Sequence, residues 1–554
     1  MALRERRTYA SSVTEEQTVE GGLAEPEELE PDQGTLALAA PEDWRDRAEG
    51  KAEWEAAAAA VLRKARRLGE GDADGLVWDK LTRTTLDGIG ITPLGTPELL
   101  DGLVTAGRPT RRGAWDIRAH LAVTDAKKGN ETLLTDLEGG ATSLWLEVPE
   151  GTDLATLLDR VLLDLAPVVI DTTDAGARAF ADFAAGRDLH PDSGVSHHVV
   201  DATAVHDRGA SDVQELAYSL KAGADRLRAL QESGVEVDEA TRLVEFRYAA
   251  TDEQFPTIAK LRAARRLWAR VLELSGAERR DQRQHAVTSR PMLSKYDPYV
   301  NMLRTTVAAF AAGVGGADAV TVLPFDTPLG VPDAFGRRIA RNINALLIDE
   351  SHVAVAADPA GGAYAVEKLT DDLAVAAWEL FGRLEEGADL DAEIKATVER
   401  RDREVATRAR PLTGLTEFPN LAESLPEREP APEGREVRRY GAAFEALRDD
   451  PATDPVLLAP LGTVAQHTAR ATFATNLLAA GGIPVSTDGS QRVACVVGTD
   501  AAYDEQGAGR AAELRAAGAE WVIVAGKPRD WADDSCAMGV DALDFLRRTR
   551  EKLA

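Results

Sequence analysis

The sequence has little cysteine, no excess of basic residues and no long apolar run. Cys495 and Cys536 are the only cysteines among 554 residues, too few for a disulfide framework, and this fits a reducing, cytoplasmic location. The 93 acidic residues outnumber the 64 basic ones, for a formal net charge of -29. Because phosphate binding requires a positive surface, this balance argues against a nucleic-acid partner. It also disfavours an anionic membrane surface.

We expect the first residues not to act as a secretory signal, because Arg4, Arg6 and Arg7 are not followed by an apolar core. No apolar run approaches the length of a membrane span, so we expect no membrane partner. A chain of 554 residues is long enough for about three domains with large cores. Its aliphatic content indicates a globular protein.

The N-terminal part divides into two regions. Residues 1–40 turn from basic to acidic and contain one aromatic side chain, Tyr9, so nothing in them can nucleate a core. We interpret them as a flexible arm and as a candidate for wrapping a partner. Residues 41–112 begin with a helical pattern, and the alanine run within residues 52–68 strongly favours a helix.

Residues 113–415 alternate between strand-like and helix-like patterns. Strands are predicted over residues 114–121, 143–148, 167–171, 197–201, 243–248, 285–289, 320–323 and 344–349. Helices are predicted over residues 154–165, 176–185, 211–231, 252–274, 300–312, 333–341 and 368–381. Eight strands alternating with helices over roughly 300 residues predict a (β/α)8 or TIM barrel.

The last part of the chain predicts a linker and a smaller α/β domain. Residues 425–439 are proline-rich and charged, and we place the linker at residues 416–445. Short β-rich runs follow at residues 456–459, 483–486, 493–498 and 521–525, separated by helical patterns at residues 466–479, 507–516 and 540–552. Residues 446–554 are therefore predicted to form a doubly wound, flavodoxin-like domain, and the whole chain is of the α/β class.

Several motifs are similar to those of one enzyme family. Around the predicted last strand the chain reads R-R-I-A-R-N at residues 337–342, E-S at 350–351, D-P at 358–359, G-G at 361–362 and Y-x-V-E at 364–367. This wording resembles the end of the coenzyme-A-binding barrel in methylmalonyl-CoA mutases. Further matches are I-A-K-L-R-A at 258–263, Y-D-P-Y at 296–299, R-T-T at 304–306 and Q-H-T-A-R-A-T-F-A-T-N at 466–476, the last resembling the cobalamin-binding domain. Residues 79–98 look like the family's hairpin before the barrel, with Gly95 in place of a tyrosine.

The resemblance implies adenosylcobalamin chemistry, in which a cobalt–carbon bond breaks and an adenosyl radical carries a thioester through a carbon-skeleton rearrangement away from water. In the family, a D-x-H-x-x-G loop holds cobalt, because the carboxylate orients the imidazole and the glycine lets the corrin tail pass. Here His467 takes the place of the ligand, but Ala465 replaces the aspartate and Arg470 the glycine. We therefore interpret His467 as a surface or capping histidine, and expect no metal ligand and no cofactor-binding residue in this chain.

The family's acid partner for the thioester carbonyl is a histidine just before an E-A-G-A motif. That motif has become D-R-G-A at residues 207–210, the catalytic position falls on Ala204, and His206 lies two residues further along. A shift of two residues changes the direction of a side chain, so we interpret His206 as a loop residue without a catalytic role.

Two further elements of the family's active site are altered. In the H-x-Q-T-S strand, His285 and Ser289 remain while Val287 replaces the hydrogen-bonding glutamine, and Arg290 and Pro291 replace the following Gly-Trp. The tyrosine-containing segment that covers the radical is missing, because R-G at residues 112–113 leads almost directly into W-D-I-R at 115–118. The later tyrosine of that strand aligns with His120, and the F-D-L-P loop reads E-V-P-E at 147–150.

A coenzyme A tunnel needs small inward-facing residues, whereas the predicted strands carry many bulky side chains, whose inward or outward direction the sequence leaves open. These are Leu144, Leu146, Val168, Ile170, Val199, Leu243, Phe246, Leu346 and Ile348. Their bulk favours a packed barrel over a tunnel.

The resemblance and the losses together suggest the small, non-catalytic subunit of a heterodimeric mutase that interconverts succinyl-CoA and (R)-methylmalonyl-CoA in propionate metabolism. We expect no catalytic residue in this chain, and expect adenosylcobalamin and acyl-CoA to bind the catalytic large subunit. One alternative is a cobalamin-dependent acyl-CoA mutase active in its own right, with His467 on cobalt and His206 or His285 on the carbonyl. Another is a stand-alone scaffold or regulator derived from such an enzyme.

Overall fold

The structure, a computed structural model, describes residues 47–195, 198–432 and 435–554. The predicted arm at residues 1–40 lies outside these ranges. The chain divides after Thr82 into two compact units, which are described separately. In the first unit, helices α1 (Arg47–Lys64) and α2 (Val77–Leu81) enclose a small apolar cluster that includes Leu62.

The second unit begins with a two-stranded antiparallel hairpin, β1 (Arg83–Thr84) and β2 (Gly90–Ile91), as predicted. The loop after it brings Gly95 against Ala365, since an ideal Cβ on Gly95 would lie 2.9 Å from the amide nitrogen of Ala365. This close approach leaves no room for the aromatic ring that the family usually carries there.

An all-parallel sheet of eight strands follows and forms the predicted barrel. Its strands are β3 (Asp116–Ala122), β4 (Ser143–Glu147), β5 (Val168–Asp171), β6 (Gly194–Val195), β7 (Val199–Asp201), β8 (Glu245–Ala250), β9 (Arg283–Thr288) and β10 (Ala319–Thr321). The last strand pairs with the first, so the sheet curls round on itself. Within the described residues, no ladder joins β6 to β7, which follow each other in the chain.

Helices pack around the outside of this sheet because their apolar stripes match the outward faces of the strands. They are α3 (Ala126–Glu138), α4 (Leu154–Leu157), α5 (Asp174–Ala184), α6 (Thr203–Asp207), α7 (Asp212–Glu232), α8 (Val237–Leu243), α9 (Gln254–Leu274), α10 (Val300–Val314), α11 (Ala334–Ala345), α12 (Tyr364–Glu385) and α13 (Leu390–Ala406). The helix predicted over residues 154–165 is much shorter than expected.

The predicted strand at residues 344–349 is wrong. Helix α11 runs to Ala345 and continues as a π-helical turn, Leu346–Glu350. Buried Ala340, Ile343 and Leu347 recur at intervals of three and four residues, which is a helical period, so the short apolar run continues the buried face of a helix. The strand missing from the prediction is β6, whose two residues are too few to show an alternating pattern.

The predicted small domain has a parallel sheet of five strands: β11 (Val456–Pro460), β12 (Val485–Ser486), β13 (Val493–Val497), β14 (Trp521–Ala525) and β15 (Asp534–Cys536). Their spatial order is β12-β11-β13-β14-β15, which is the flavodoxin-like order. Its helices are α14 (Ala442–Asp449), α15 (Val464–Ala480), α16 (Asp500–Ala502), α17 (Ala508–Ala516) and α18 (Ala542–Leu553). The short edge strand β15 was not predicted.

Among the described residues, no helix is both long enough and apolar enough to cross a lipid bilayer.

Candidate functional site

Trp145 of β4 lies across the barrel axis. Its side chain is fully buried, and its ring centroid is 4.2 Å from that of His120 on β3 and 5.4 Å from that of His285 on β9. The guanidinium carbon of Arg247, on β8, lies 3.9 Å from the centroid of the Trp145 ring. Because β4 pairs with β3 and β5, contacts with β8 and β9 must cross the barrel interior. Trp145 thus fills the space that a ligand threaded along the axis needs.

Arg247 joins four strands through buried polar contacts. Its Nε donates to Nδ1 of His285 at 3.2 Å, and its Nη1 donates to Asp171 at 3.0 Å and to Asp201 at 3.2 Å. The indole N–H of Trp145 donates to the same Asp171 oxygen at 2.8 Å. Burial lowers the pKa of His285 well below its usual value, so the neutral ring accepts from Arg247. The ion pairs and the indole therefore form one network.

A second layer of buried charged residues lies deeper in the barrel, toward the amino ends of the strands. Arg118 of β3 is 4% exposed and donates to Glu245 of β8 at 2.8 Å and to the hydroxyl of Ser143 at 3.2 Å. Although burial raises the pKa of Glu245, Arg118, Arg283 and Arg247 together outweigh it and keep this pKa below its usual value. His285 links the two layers: its Nε2 lies 2.8 Å from the hydroxyl oxygen of Thr321 on β10, and that hydroxyl donates to the Arg118 carbonyl at 2.8 Å.

Arg435, which belongs to the predicted linker, binds at the mouth of the barrel. It donates to Asp201 at 2.8 Å and to the hydroxyl of Thr203 at 2.7 Å, and lies 3.4 Å from Asp207. Burial raises the pKa of Asp201, but Arg247 and Arg435 together hold it well below its usual range. The linker thus contributes a cation to the carboxylates that surround the open end of the strands.

The barrel is packed, as expected, but the bulky aliphatic side chains of the predicted strands do not line it. Leu144, Leu146, Val168 and Ile170 face outward and pack in one cluster with residues of the surrounding helices, as Phe246 does against Trp268. Of the others, Val199 is half-buried, Leu243 ends α8, and Leu346 and Ile348 belong to the π-helical turn. In the strands, the alternating positions place polar and aromatic residues inside.

His206 is a buried helical residue and not a loop residue, which corrects the prediction from the sequence. It lies in the short helix α6, is 3% exposed, and its Nε2 is 2.7 Å from the hydroxyl oxygen of Ser289. Its Nδ1 faces Glu215 at 3.4 Å. Ala204, at the position of the family's catalytic histidine, is exposed on the same helix. His206 is therefore held in place by buried partners, while the expected catalytic position offers only a methyl group.

Glu215 anchors this region to the core. It is fully buried, accepts from the Ala249 amide at 2.7 Å, and pairs with Lys260 at 2.7 Å. Lys260 is also fully buried and pairs with Asp212 at 2.8 Å. Burial disfavours the charged lysine, but the two carboxylates outweigh it and raise its pKa. These pairs tie α7 to α9 and to the end of β8, so they are part of the framework of the barrel.

In the small domain, the crevice between β11 and β13 is the place where flavodoxin-like folds bind ligands. The loops that bound it are in contact here, since an ideal Cβ on Gly498 would lie 3.0 Å from the Cβ of Leu461. The hydroxyl of Tyr503 accepts from the Gly498 amide at 2.9 Å and donates to the Ala525 carbonyl at 2.8 Å. This side chain joins the ends of β13 and β14 and fills the neighbouring groove.

His467 and Arg470 both lie on the first turns of α15. Within the part of the chain that the structure describes, Nδ1 of His467 has no hydrogen-bond partner, and α15 is capped by Thr463 and Gln466 instead. Arg470 donates to Asp500 at 2.9 Å, and its guanidinium lies against the end of β14. In residues 47–195, 198–432 and 435–554, no cluster of three or more His, Cys, Asp or Glu residues is arranged to hold a metal ion.

The structure thus brings only some of the predicted residues together. His206 contacts Ser289, His285 belongs to the Arg247 network, and His467 lies in the other domain. The sequence reasoning missed Trp145 and Arg247. A signal existed for Arg247: it alternates with Glu245 in an otherwise apolar strand, which indicates a polar inner face.

Comparisons with known proteins agree with the fold. A family model described as methylmalonyl-CoA mutase matches residues 195–478. The chain is 40% identical to a methylmalonyl-CoA mutase small subunit of Streptomyces virginiae, over 90% of this chain and 96% of that protein. It is 37% identical to a probable small subunit of Mycobacterium bovis, over 87% of this chain and 93% of that protein. It is also 33% identical to the small subunit of Propionibacterium freudenreichii, over 86% and 90% respectively.

Proposed function

Because this chain belongs to the methylmalonyl-CoA mutase family, we propose that it is the non-catalytic small subunit of a heterodimeric, adenosylcobalamin-dependent mutase. In this proposal a catalytic large subunit binds adenosylcobalamin and acyl-CoA and interconverts succinyl-CoA and (R)-methylmalonyl-CoA. This chain supports that subunit as the other half of a pseudo-symmetric pair. The names of its relatives, which are small subunits of this enzyme, support the assignment.

The observation that carries the proposal is the filled barrel axis. A ligand threaded along it must displace Trp145 and separate Arg247 from Asp171 and Asp201. Breaking a buried ion pair by removing one partner costs about 3–5 kcal/mol, and displacing a buried indole adds to that cost. A chain that binds acyl-CoA for catalysis needs this space open, so the filled axis supports a structural role.

The small domain does not fit a corrin. A cobalt-bound histidine needs an acceptor that orients its second ring nitrogen, and Nδ1 of His467 lacks one among the described residues. The crevice that the corrin tail requires is narrowed by Leu461 against Gly498 and by Arg470 against the end of β14. We therefore derive no chemical step through cobalamin for this chain, and place the cofactor on the partner in our proposal.

The test is to express the chain with and without a large subunit from the same organism that carries an intact D-x-H-x-x-G loop. We expect native mass measurement to show a one-to-one complex, with mutase activity and the corrin absorption band only when both chains are present. A corrin band on mixing this chain alone with adenosylcobalamin contradicts the proposal and supports an independent mutase. Failure of the chains to co-purify instead supports a separate scaffold.

A substitution separates the two subunits' roles within the complex. His467→Ala in this chain should leave cobalamin content and turnover unchanged, because we assign this residue no ligand role. The same change at the histidine of a D-x-H-x-x-G loop in the large subunit should abolish the absorption band. Loss of the band from His467→Ala alone contradicts the assignment.

A further inference from the structure

A cavity of about 150 Å³ lies at the carboxyl ends of the barrel strands, outside the Trp145 and Arg247 network. The loop after β8, the turn that carries His206 and helix α13 form its walls, and the hairpin residues 83–87 and residues 410–412 cover it. The axial residues Trp145 and Arg247 are not among its lining residues. The cavity is therefore a separate place in the fold, to which the proposed function assigns no role.

Two buried arginines line this cavity without a carboxylate partner. Arg401 is 5% exposed and donates to the carbonyl oxygens of Gly209, at 2.8 Å, and Ala210, at 3.3 Å. Arg304 is 7% exposed, and its acceptors are two side-chain oxygens and one carbonyl oxygen, all neutral. Within the described ranges neither arginine forms an ion pair. A buried cation with neutral partners alone is costly unless an anion reaches it.

Other charged side chains of the lining do form ion pairs. Glu253 pairs with Arg83 at 3.1 Å and with Arg410 at 3.2 Å, and Asp212 pairs with Lys260. Asp252 acts on Arg304 and Asp87 on Arg401 through space, but neither carboxyl forms an ion pair with its arginine.

Two lining carboxyls remain less ionised than usual. Burial raises the pKa of Asp87 to about 6, and burial likewise raises that of Asp252. The hydroxyl of Ser211 donates to Asp87. A carboxyl with a raised pKa takes up a proton more readily when an anion approaches, and the protonated carboxyl donates a hydrogen bond. Both features favour an anionic ligand beside Arg304 and Arg401.

We propose that this cavity binds a small aliphatic carboxylate, whose carboxylate group pairs with the guanidinium groups of Arg304 and Arg401. A cavity of about this volume accommodates a molecule of the size of benzene, which has about six non-hydrogen atoms. With two of these atoms being the carboxylate oxygens, the ligand has at most about four carbons. Apolar side chains of the lining receive its hydrocarbon part: Ile91, Pro256, Met292 and Leu412. A doubly charged phosphate is disfavoured, because it lacks a hydrocarbon part for this wall and meets nearby acidic groups.

The inference does not depend on pairing with a large subunit, so it is tested on the purified full-length chain. Calorimetric titration with sodium butyrate should give saturable binding, and butylammonium, of similar size and opposite charge, should give none. Arg401→Lys removes the planar guanidinium and should weaken binding about tenfold. Arg403→Lys is the matched control, because Arg403 is exposed on the same helix, and it should leave binding unchanged.

A variant of opposite sign distinguishes loss of binding from loss of folding. Asp252→Asn removes a carboxyl beside Arg304 whose ionised form opposes a bound anion, and should strengthen butyrate binding about threefold. Circular dichroism checks that each variant is folded. The proposal is overturned if the folded wild-type chain shows no saturable binding, if butylammonium binds equally well, or if Asp252→Asn weakens binding.

Discussion

Replacing Trp145 by alanine tests whether this side chain holds the barrel axis closed. The indole is fully buried, lies 3.9 Å from the guanidinium of Arg247, and donates to Asp171 at 2.8 Å. Truncating a buried tryptophan to alanine costs about 3–5 kcal/mol through lost burial and the cavity left behind. The cation–π contact is desolvated and contributes about 2 kcal/mol, so the upper part of that range applies. We expect Trp145→Ala to lower the free energy of unfolding by about 4 kcal/mol.

Urea denaturation followed by circular dichroism measures this change, with two comparison variants. Trp145→Phe keeps a ring beside Arg247 and loses the indole N–H, so about 2 kcal/mol is expected for the lost bond to a charged acceptor. Trp378→Ala removes a half-buried indole from the outer helix α12 and should cost about 1–2 kcal/mol. If Trp145→Ala costs less than about 1 kcal/mol, the indole does not fill a packed axis and the reasoning fails.

Three further changes test the ion pairs and the closed crevice by chemical denaturation. Arg435→Gln should cost about 1–2 kcal/mol at neutral pH. Because the native pKa of Asp201 is lowered, this stabilisation is present above its unfolded value of about 4 and is lost on acidification, so the variant and wild type should converge in acid. If Arg435→Gln lowers the free energy of unfolding by the same amount at neutral pH and in acid, this account is contradicted. Lys260→Met leaves Glu215 unpaired in the core and should cost about 3–5 kcal/mol, which Glu215→Gln in the same chain should partly restore. Tyr503→Phe should cost about 1–2 kcal/mol, and no loss means that its hydroxyl does not join the strands.

The sequence predicted most of the elements because their periods are long and regular. Helices α7, α9 and α10 each carry apolar residues at helical spacing over fifteen residues or more, and their predicted limits agree with the structure to within about two residues. The failures concern short elements. A run of four apolar residues suits a strand or a buried helical turn equally well, and the residues after Ala345 adopt the second because Leu347 continues the buried face of α11.

The candidate site was predicted less well, because its character depends on contacts between distant segments. The sequence showed that the family's catalytic histidine is missing at residue 204, and that the aspartate and glycine of the cobalt-binding loop are missing at residues 465 and 470. The sequence did not show which side chains fill the barrel, and the structure places Trp145, Arg247 and His285 there. His206 was misjudged because its partner, Ser289, lies far along the chain.

The sequence by itself determined the α/β class, the order of hairpin, barrel, linker and small domain, and the family, since all of these follow from local periodicity and motif wording. Only the tertiary structure decided which face of each strand is inside, and that an arginine of the linker reaches Asp201 at the barrel mouth. The physical reason is that propensity and period act between neighbours in the chain. Ion pairing and packing across a closed sheet act between residues that only the fold brings together.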